Sequence, residues 1–324
     1  MTANVLIVAP AWVGDMVMAH SLVRWLVECS GSRVELLAPP ATASLGARMP
    51  GVARTHVLDV AHGELGFAKR RAWGRSHKDT FDQAVVLPNS FKSALAPWFA
   101  RIPRRTGWRG EWRVGLLNDL RVLDRETYPR MVDRFVALAA DARAPEPRLT
   151  ADADNAYALV ERLGLDTAGG VTVLCPGAEF GPAKRWPARH FAQVATHVAK
   201  AGSAVWLMGS AADGVAAAEI AQHTLAPVVD LCGRTSLTEA VDLLSLADSV
   251  VCNDSGLMHV ASALDRRVVA VFGSTSPDFT PPLSDQASVV RQTLPCSPCF
   301  QRECPLGHLQ CLEELAPQRV VEVL

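Results

Sequence analysis

Short apolar runs, most of them closed by proline or glycine and followed by a helical pattern, recur along both halves of this chain. In the first half they are Val5-Leu6-Ile7-Val8-Ala9 before Pro10, residues 34–38 before Pro39-Pro40, and residues 84–87 before Pro88. Runs this short and, apart from Glu35, continuously apolar fit strands covered on both faces, which is the situation in a parallel sheet flanked by helices. After the first run, Met18, Leu22, Trp25 and Cys29 follow at helical spacing and form one face. The second half repeats the alternation. Runs at 171–175, 204–208, 228–231, 249–252 and 268–272 read as strands. Pro187 opens a helix through Phe191, Val194 and Val198, where its missing N–H costs nothing. Another helix follows from about Ala212, and Ser236-Leu237-Thr238-Glu239 is a capping box at the start of the next. The fold class is α/β, with right-handed crossovers.

A single core seldom grows past ~250 residues, so 324 residues predict two domains. Residues 141–154, with Ala144-Pro145-Glu146-Pro147, lack periodicity and read as the linker. The predicted domains are 1–148 and 149–324, each doubly wound, facing a central cleft with ligands at the C-terminal ends of the strands. Charge separates them: residues 1–150 hold 21 Lys and Arg against 14 Asp and Glu, and residues 151–324 hold 11 against 19. A basic half suits an anionic ligand or a membrane surface, although opposite halves could also simply attract each other. No apolar run reaches the ~18 residues of a membrane span. The first apolar stretch has no basic flank or cleavage site, so it reads as a strand and the chain as cytoplasmic. Its cysteines are then expected to be reduced unless they hold metal.

Three loops carry candidate chemistry. Gly14-Asp15 stands where the first helix begins: Asp15 is either a helix N-cap or a carboxylate placed to take a proton from an acceptor hydroxyl. There is no Gly-x-Gly-x-x-Gly, so a dinucleotide fingerprint is not supported. The segment from Pro176-Gly177 to Lys184-Arg185-Trp186-Pro187 joins a strand to a helix, and two cations ahead of a helix start make an anion site. The alternative leaves both cations in solvent with Trp186 merely packed. Asn253-Asp254-Ser255-Gly256-Leu257-Met258-His259 likewise joins a strand to a helix. Ser255 and Gly256 offer hydroxyl and amide donors to phosphate, and Asp254 is expected to cap the helix or accept from sugar hydroxyls. His259 is either a ligand contact or a packed histidine.

Arg and Trp interleave from Arg101 to Arg113, and Lys69-Arg70-Arg71 lies near Trp73. Such runs are usually solvated faces, but Trp beside Arg also suits stacking on sugars and pairing with anions. Single-stranded nucleic acid would fit the same mixture, yet a near-neutral chain without a nucleic-acid motif argues against it. Near the C-terminus, Cys296, Cys299, Cys304 and Cys311 with His308 between them form a candidate structural metal site of no standard spacing, with free thiols or a local bridge as alternatives.

Several motifs resemble one family. Pro10-Ala11-Trp12-Val13-Gly14-Asp15-Met16, Leu87-Pro88-Asn89-Ser90-Phe91-Lys92-Ser93-Ala94 and Arg105-Thr106-Gly107-Trp108-Arg109-Gly110 are similar to the lipopolysaccharide heptosyltransferases of glycosyltransferase family 9. So are the loops 175–187 and 253–261 and the segment Ser276-Pro277-Asp278-Phe279-Thr280-Pro281-Pro282. The resemblance spans almost the whole chain. It implies the GT-B architecture of two Rossmann-like domains, an ADP-L-glycero-β-D-manno-heptose donor bound by the second domain, and a heptosyl-Kdo2-lipid A acceptor bound by the first. It implies inverting transfer without a required cofactor, peripheral contact with the inner membrane, and no nucleic-acid partner. Asp15 resembles the family's general base and Lys184 its donor-phosphate cation. Gly177, Arg185, Asp254, Ser255, Gly256 and His259 resemble donor contacts. Asn89, Lys92, Arg105, Trp108 and Arg109 are the implied acceptor contacts. Some members lack the cysteines, so a metal there would be structural. The rivals are sister enzymes with other acceptors, a nucleotide-sugar epimerase, and a nucleotide-binding module without turnover.

Overall fold

The computed structural model describes residues 2–61 and 63–324 and divides into two compact units, Met1–Thr150 and Ala151–Leu324. In the first, β1 (Asn4–Val8), β2 (Arg33–Ala38), β3 (Val52–Val57), β4 (Gln83–Val86), β5 (Arg104–Trp108) and β6 (Asp119–Arg121) form one parallel sheet in the order β3-β2-β1-β4-β5-β6. In the second, β7 (Val171–Cys175), β8 (Ala204–Leu207), β9 (Val229–Asp230), β10 (Ser249–Asn253), β11 (Arg267–Phe272) and β12 (Ala287–Arg291) form another, also parallel, in the order β12-β11-β10-β7-β8-β9. Read within its own unit, each order is 3-2-1-4-5-6. The winding reverses between β1 and β4 and again between β7 and β10, and ligands of such sheets bind beyond the strand C-termini at that reversal.

The apolar runs become the central strands because those strands are covered twice. Val5, Leu6 and Ile7 in β1, and Val250, Val251 and Cys252 in β10, are essentially free of solvent. Leu6, Val8, Leu37, Val86 and Ile102 meet in the core of the first unit. Leu174, Trp186, Phe191, Val205, Val251 and Val269 meet in that of the second. The helix Ala188–Lys200 starts after Pro187 as its sequence predicts and buries Phe191, Val194 and Val198. Before the helix Leu237–Leu244, Ser236 and Glu239 exchange the two bonds of a capping box.

Four strands escape the sequence pattern: β3, β5, β6 and β12. Three of them lie at sheet edges and β5 lies one strand in, where a strand can carry arginine and other polar groups on an exposed side. The linker also differs from expectation. Arg148 N–H donates to His20 Nδ1 (2.9 Å) and Thr150 N–H to Arg48 O (2.9 Å), so residues up to 150 belong to the first unit. Asp152 already belongs to the second: its N–H donates to Asp242 Oδ1 (2.9 Å) and its carboxylate caps the helix Ala153–Leu163.

Candidate active site

The reversal point of the first unit is bordered by the loops after β1 and β4. The first leads into the helix Val13–Glu28, with Trp12 at its N-cap and Asp15 in its first turn, half-buried. Asp15 is therefore not the N-cap residue; a carboxylate there gains from the positive end of the helix dipole. The second carries Asn89 and Lys92. Arg113, wholly buried, braces this loop from behind. Its guanidinium donates to Pro88 O (2.7 Å), Asn89 Oδ1 (3.0 Å) and Trp108 O. Phe91 N–H donates to Glu111 Oε2 (2.6 Å), and Ser93 Oγ to Pro88 O (2.9 Å). Arg113 thus holds the side-chain oxygen of Asn89, a residue that is itself exposed.

Two expected acceptor contacts are spent inside the fold. Trp108 ends β5 and is only 5% exposed, and its indole N–H donates to Arg134 O (3.1 Å). This corrects the expectation that its ring stacks on a sugar: a strand passes through the basic and aromatic run, and the last three residues of that strand are buried. Arg105 donates to Leu116 O (2.6 Å) and Ile102 O (2.5 Å), and burial lowers its pKa. It staples β5 to the following loop and is corrected likewise. Lys92 and Arg109 remain at least partly exposed.

In the second unit the loops after β7 and β10 meet through buried polar bonds. Asn253, without solvent exposure, accepts from Trp186 N–H (3.0 Å) and donates to Pro176 O (2.7 Å). Asp254 does not cap the helix Gly256–Ala263, whose N-cap is Ser255. Its carboxylate, 4% exposed, instead accepts from Lys184 Nζ (2.6 Å) and Thr275 Oγ1 (2.6 Å). Lys184 Nζ also makes a long contact to Asp254 O (3.5 Å), which leaves one of its three N–H donors for a further partner. Ser255 makes no side-chain capping bond and, with Gly256, is partly open to solvent. His259, one turn into this helix, is 4% exposed, and burial pulls its pKa down to about 4, so its imidazole is neutral near pH 7. Arg185 is exposed, with only a long contact from Nε to Ala178 O (3.4 Å).

Gly177 is required by close approach. A Cβ there would fall 2.4 Å from Asp213 Cγ. Asp213 closes a capping box with Ser210 after β8, so glycine lets the loop after β7 pack directly against the Asp213 carboxylate. Sequence reasoning missed Thr275, Asp213 and Arg113. Thr275 and Arg113 act through contacts distant in sequence that no local spacing marks, and the Ser210-x-x-Asp213 spacing marks a helix cap but not the approach to Gly177.

Cys296, Cys299, Cys304, Cys311 and His308 line one cavity together with Ala183. The turn after Cys304 aims backbone N–H groups at its sulfur and holds that thiol below its usual pKa, whereas burial raises Cys311. Thiols and an imidazole are the residue types a structural metal takes, although among the described residues no group of three or more His, Cys, Asp or Glu stands in a ligand arrangement. The fold brings the four thiols and His308 to a shared cavity. Arg302, inside this segment, accepts at its carbonyl from Ala183 N–H (3.0 Å), so the cysteine loop packs against the Lys184 turn.

The family model for glycosyltransferase family 9 (heptosyltransferase) matches residues 70–310, which includes the loops around Asn89, Lys184 and Asp254. The chain belongs to glycosyltransferase family 9. Lipopolysaccharide heptosyltransferase 2 of Escherichia coli (strain K12) is 44% identical over 339 residues, covering 99% of this chain and 97% of that protein. Lipooligosaccharide heptosyltransferase 2 of Haemophilus ducreyi is 41% identical, covering 99% and 98%. The solved structure of E. coli ADP-heptose LPS heptosyltransferase II superposes with a TM-score of 0.88 at 41% identity, over 99% of this chain and 97% of that one. The two parallel sheets are thus those of a GT-B heptosyltransferase, and this member of family 9 is a glycosyltransferase. No helix among the described residues is long and apolar enough to cross a membrane.

Proposed function

We propose that this chain transfers L-glycero-D-manno-heptose from ADP-L-glycero-β-D-manno-heptose to the first heptose of the lipopolysaccharide inner core, the reaction of heptosyltransferase II. The observation that carries the reading is full-length similarity to heptosyltransferase 2 proteins, at 44% identity over 99% of the chain. The residues support it chemically. Asp15 receives the proton as the acceptor hydroxyl attacks the anomeric carbon, in one displacement that turns a β-linked donor into an α-linked product. ADP leaves as an anion. The remaining donor of Lys184, the Ser255 hydroxyl and the amides at the start of the helix Gly256–Ala263 oppose its growing charge. Neutral His259 adds a hydrogen bond rather than a charge. Fixed donors of this kind serve in place of a divalent cation, so turnover is metal-independent. The first unit, net positive over residues 1–150, takes the anionic acceptor, and the enzyme works peripherally at the cytoplasmic face of the inner membrane.

The test is transfer from ADP-heptose to purified Kdo2-lipid A and to heptosyl-Kdo2-lipid A with EDTA present. Product from the second acceptor alone is expected. Product from the first reassigns the acceptor to that of heptosyltransferase I, loss of activity with EDTA overturns the metal-free mechanism, and interconversion of free nucleotide sugars without acceptor points to an epimerase.

A further inference from the structure

The first unit carries a surface that the transfer chemistry does not use. The helix Phe67–Ser76 packs so tightly on the helix Leu95–Phe99 that a Cβ at Gly74 would fall 2.5 Å from Phe99 Cβ and 2.7 Å from Ala96 O. Along this seam Phe67 meets Phe99 edge-on, with centroids 5.3 Å apart, and Trp98 meets the same ring at 4.9 Å. Phe67 and Trp98 nevertheless stay 50% and 43% exposed, and Leu65, just ahead of the helix, 49%. Cations surround them. Arg71 stands one turn after Phe67, on the same side of the helix, with Arg75 a turn further, and both are exposed. Arg101, also exposed, follows the second helix. Between residues 63 and 101 there are seven Lys and Arg against three acids. Two members of the basic run are already occupied: Lys69 pairs with Asp59 (2.9 Å), and Arg70 Nε donates to Leu65 O (2.8 Å).

Rigid aromatic rings in water, ringed by arginines, combine the two contributions that hold a protein at a lipid interface. Apolar area enters the headgroup boundary, and cations meet anionic headgroups. We propose that Leu65, Phe67 and Trp98, with Arg71, Arg75 and Arg101, seat the protein on an anionic lipid bilayer. Charge complementarity selects this occupant. The inference rests on the reading above that the acceptor is lipid-anchored, and it names the surface that brings the enzyme to that lipid.

The experiment is co-sedimentation of the full-length protein with vesicles of phosphatidylcholine alone or mixed with phosphatidylglycerol, in dilute buffer and in about 1 M salt, where screening acts over ~3 Å. The comparison proteins are Phe67→Ser/Trp98→Ser and Arg71→Ser/Arg75→Ser/Arg101→Asn; asparagine suits the left-handed backbone at position 101. Transfer to a deacylated, soluble acceptor is measured in parallel to show that each variant is folded. Binding to phosphatidylglycerol vesicles is expected, abolished by salt and lowered roughly fivefold per cation removed, on the order of a hundredfold for the triple variant. The aromatic pair should also lose binding, and all should keep transfer to the soluble acceptor. Absence of wild-type binding, equal binding to neutral vesicles, or variants that bind like wild type would overturn the proposal while leaving the transferase reading intact. Wild-type self-association that disappears in the aromatic variant would reassign the patch to a protein interface. Loss of transfer to the soluble acceptor by the wild type would sink the functional reading instead.

Discussion

Lys184 Nζ lies 2.6 Å from Asp254 Oδ2, with the two side chains only 14% and 4% exposed. The lysine expected to meet donor phosphate is therefore oriented by a carboxylate that Thr275 also holds. Removing one partner strands the other charge in a poor solvent, which typically costs about 3–5 kcal/mol. Lys184→Met should lower unfolding free energy in urea by roughly that amount, and Lys184→Met/Asp254→Asn should recover much of it. Donor affinity should fall in both. A double variant no more stable than the single one would show that the pair is not coupled.

For Asp15→Asn, turnover should drop by about 10²–10⁴-fold, the usual contribution of a general base, with ADP affinity changed little. Steady-state kinetics beside ADP titration separates the two. Equal losses in both would reassign Asp15 to stabilising the helix Val13–Glu28, where it sits in the first turn.

Legibility of the sequence followed burial. Val5–Val8 and Val250–Cys252 could be read because strands covered on both faces must be apolar throughout. β5 could not: Arg104-Arg105-Thr106-Gly107-Trp108 opens on two charges and contains a glycine, and only the fold shows that its last three residues are buried. The loops after β7 and β10 were visible through glycines and paired cations before a helix. The bonds that fix them, Thr275 to Asp254 and Asn253 to Trp186 and Pro176, join residues 21, 67 and 77 positions apart, beyond any local pattern. The cysteines were legible as a group: close spacing marked them, and the fold gathers all four with His308 around one cavity.

His20 makes the first unit sensitive to acid. Burial chiefly pulls its pKa down to about 4 from 6.5, and its Nδ1 must stay unprotonated to accept from Arg148 N–H, while Nε2 donates to Pro50 O (2.8 Å). Because the folded pKa lies below the unfolded one, the unfolded chain binds more protons between the two. Stability is complete above about pH 6.5, falls as pH drops toward 4, and loses at most about 3 kcal/mol to this residue. His259, lowered to about 4 by burial, adds a similar slope from the second unit. Urea unfolding from pH 7.5 downward should show this decline. His20→Gln should be less stable at pH 7.5 yet flatter with pH; an unchanged slope would exclude the assignment.

Arg113 offers the sharpest separation between acceptor and donor functions. It touches neither substrate in the proposed mechanism, but its guanidinium fixes Asn89 Oδ1 and the carbonyls of Pro88 and Trp108, entirely away from solvent. Burial disfavours its charge, so these bonds hold a cation that water would otherwise take. Arg113→Leu leaves three acceptors without a donor and should destabilise the first unit by a few kcal/mol, about 1–3 for each buried group left unpaired. Arg113→Lys keeps the charge but lacks the planar fork needed for three directions at once. It should therefore fold while letting the Asn89 loop shift. KM for the lipid-derived acceptor should then rise about tenfold or more with ADP affinity unchanged, because the loops proposed to bind the donor lie in the other unit. If ADP binding weakens in parallel with acceptor KM, the damage is global and Arg113 is merely a core residue; if only acceptor KM moves, the buried arginine positions the acceptor loop.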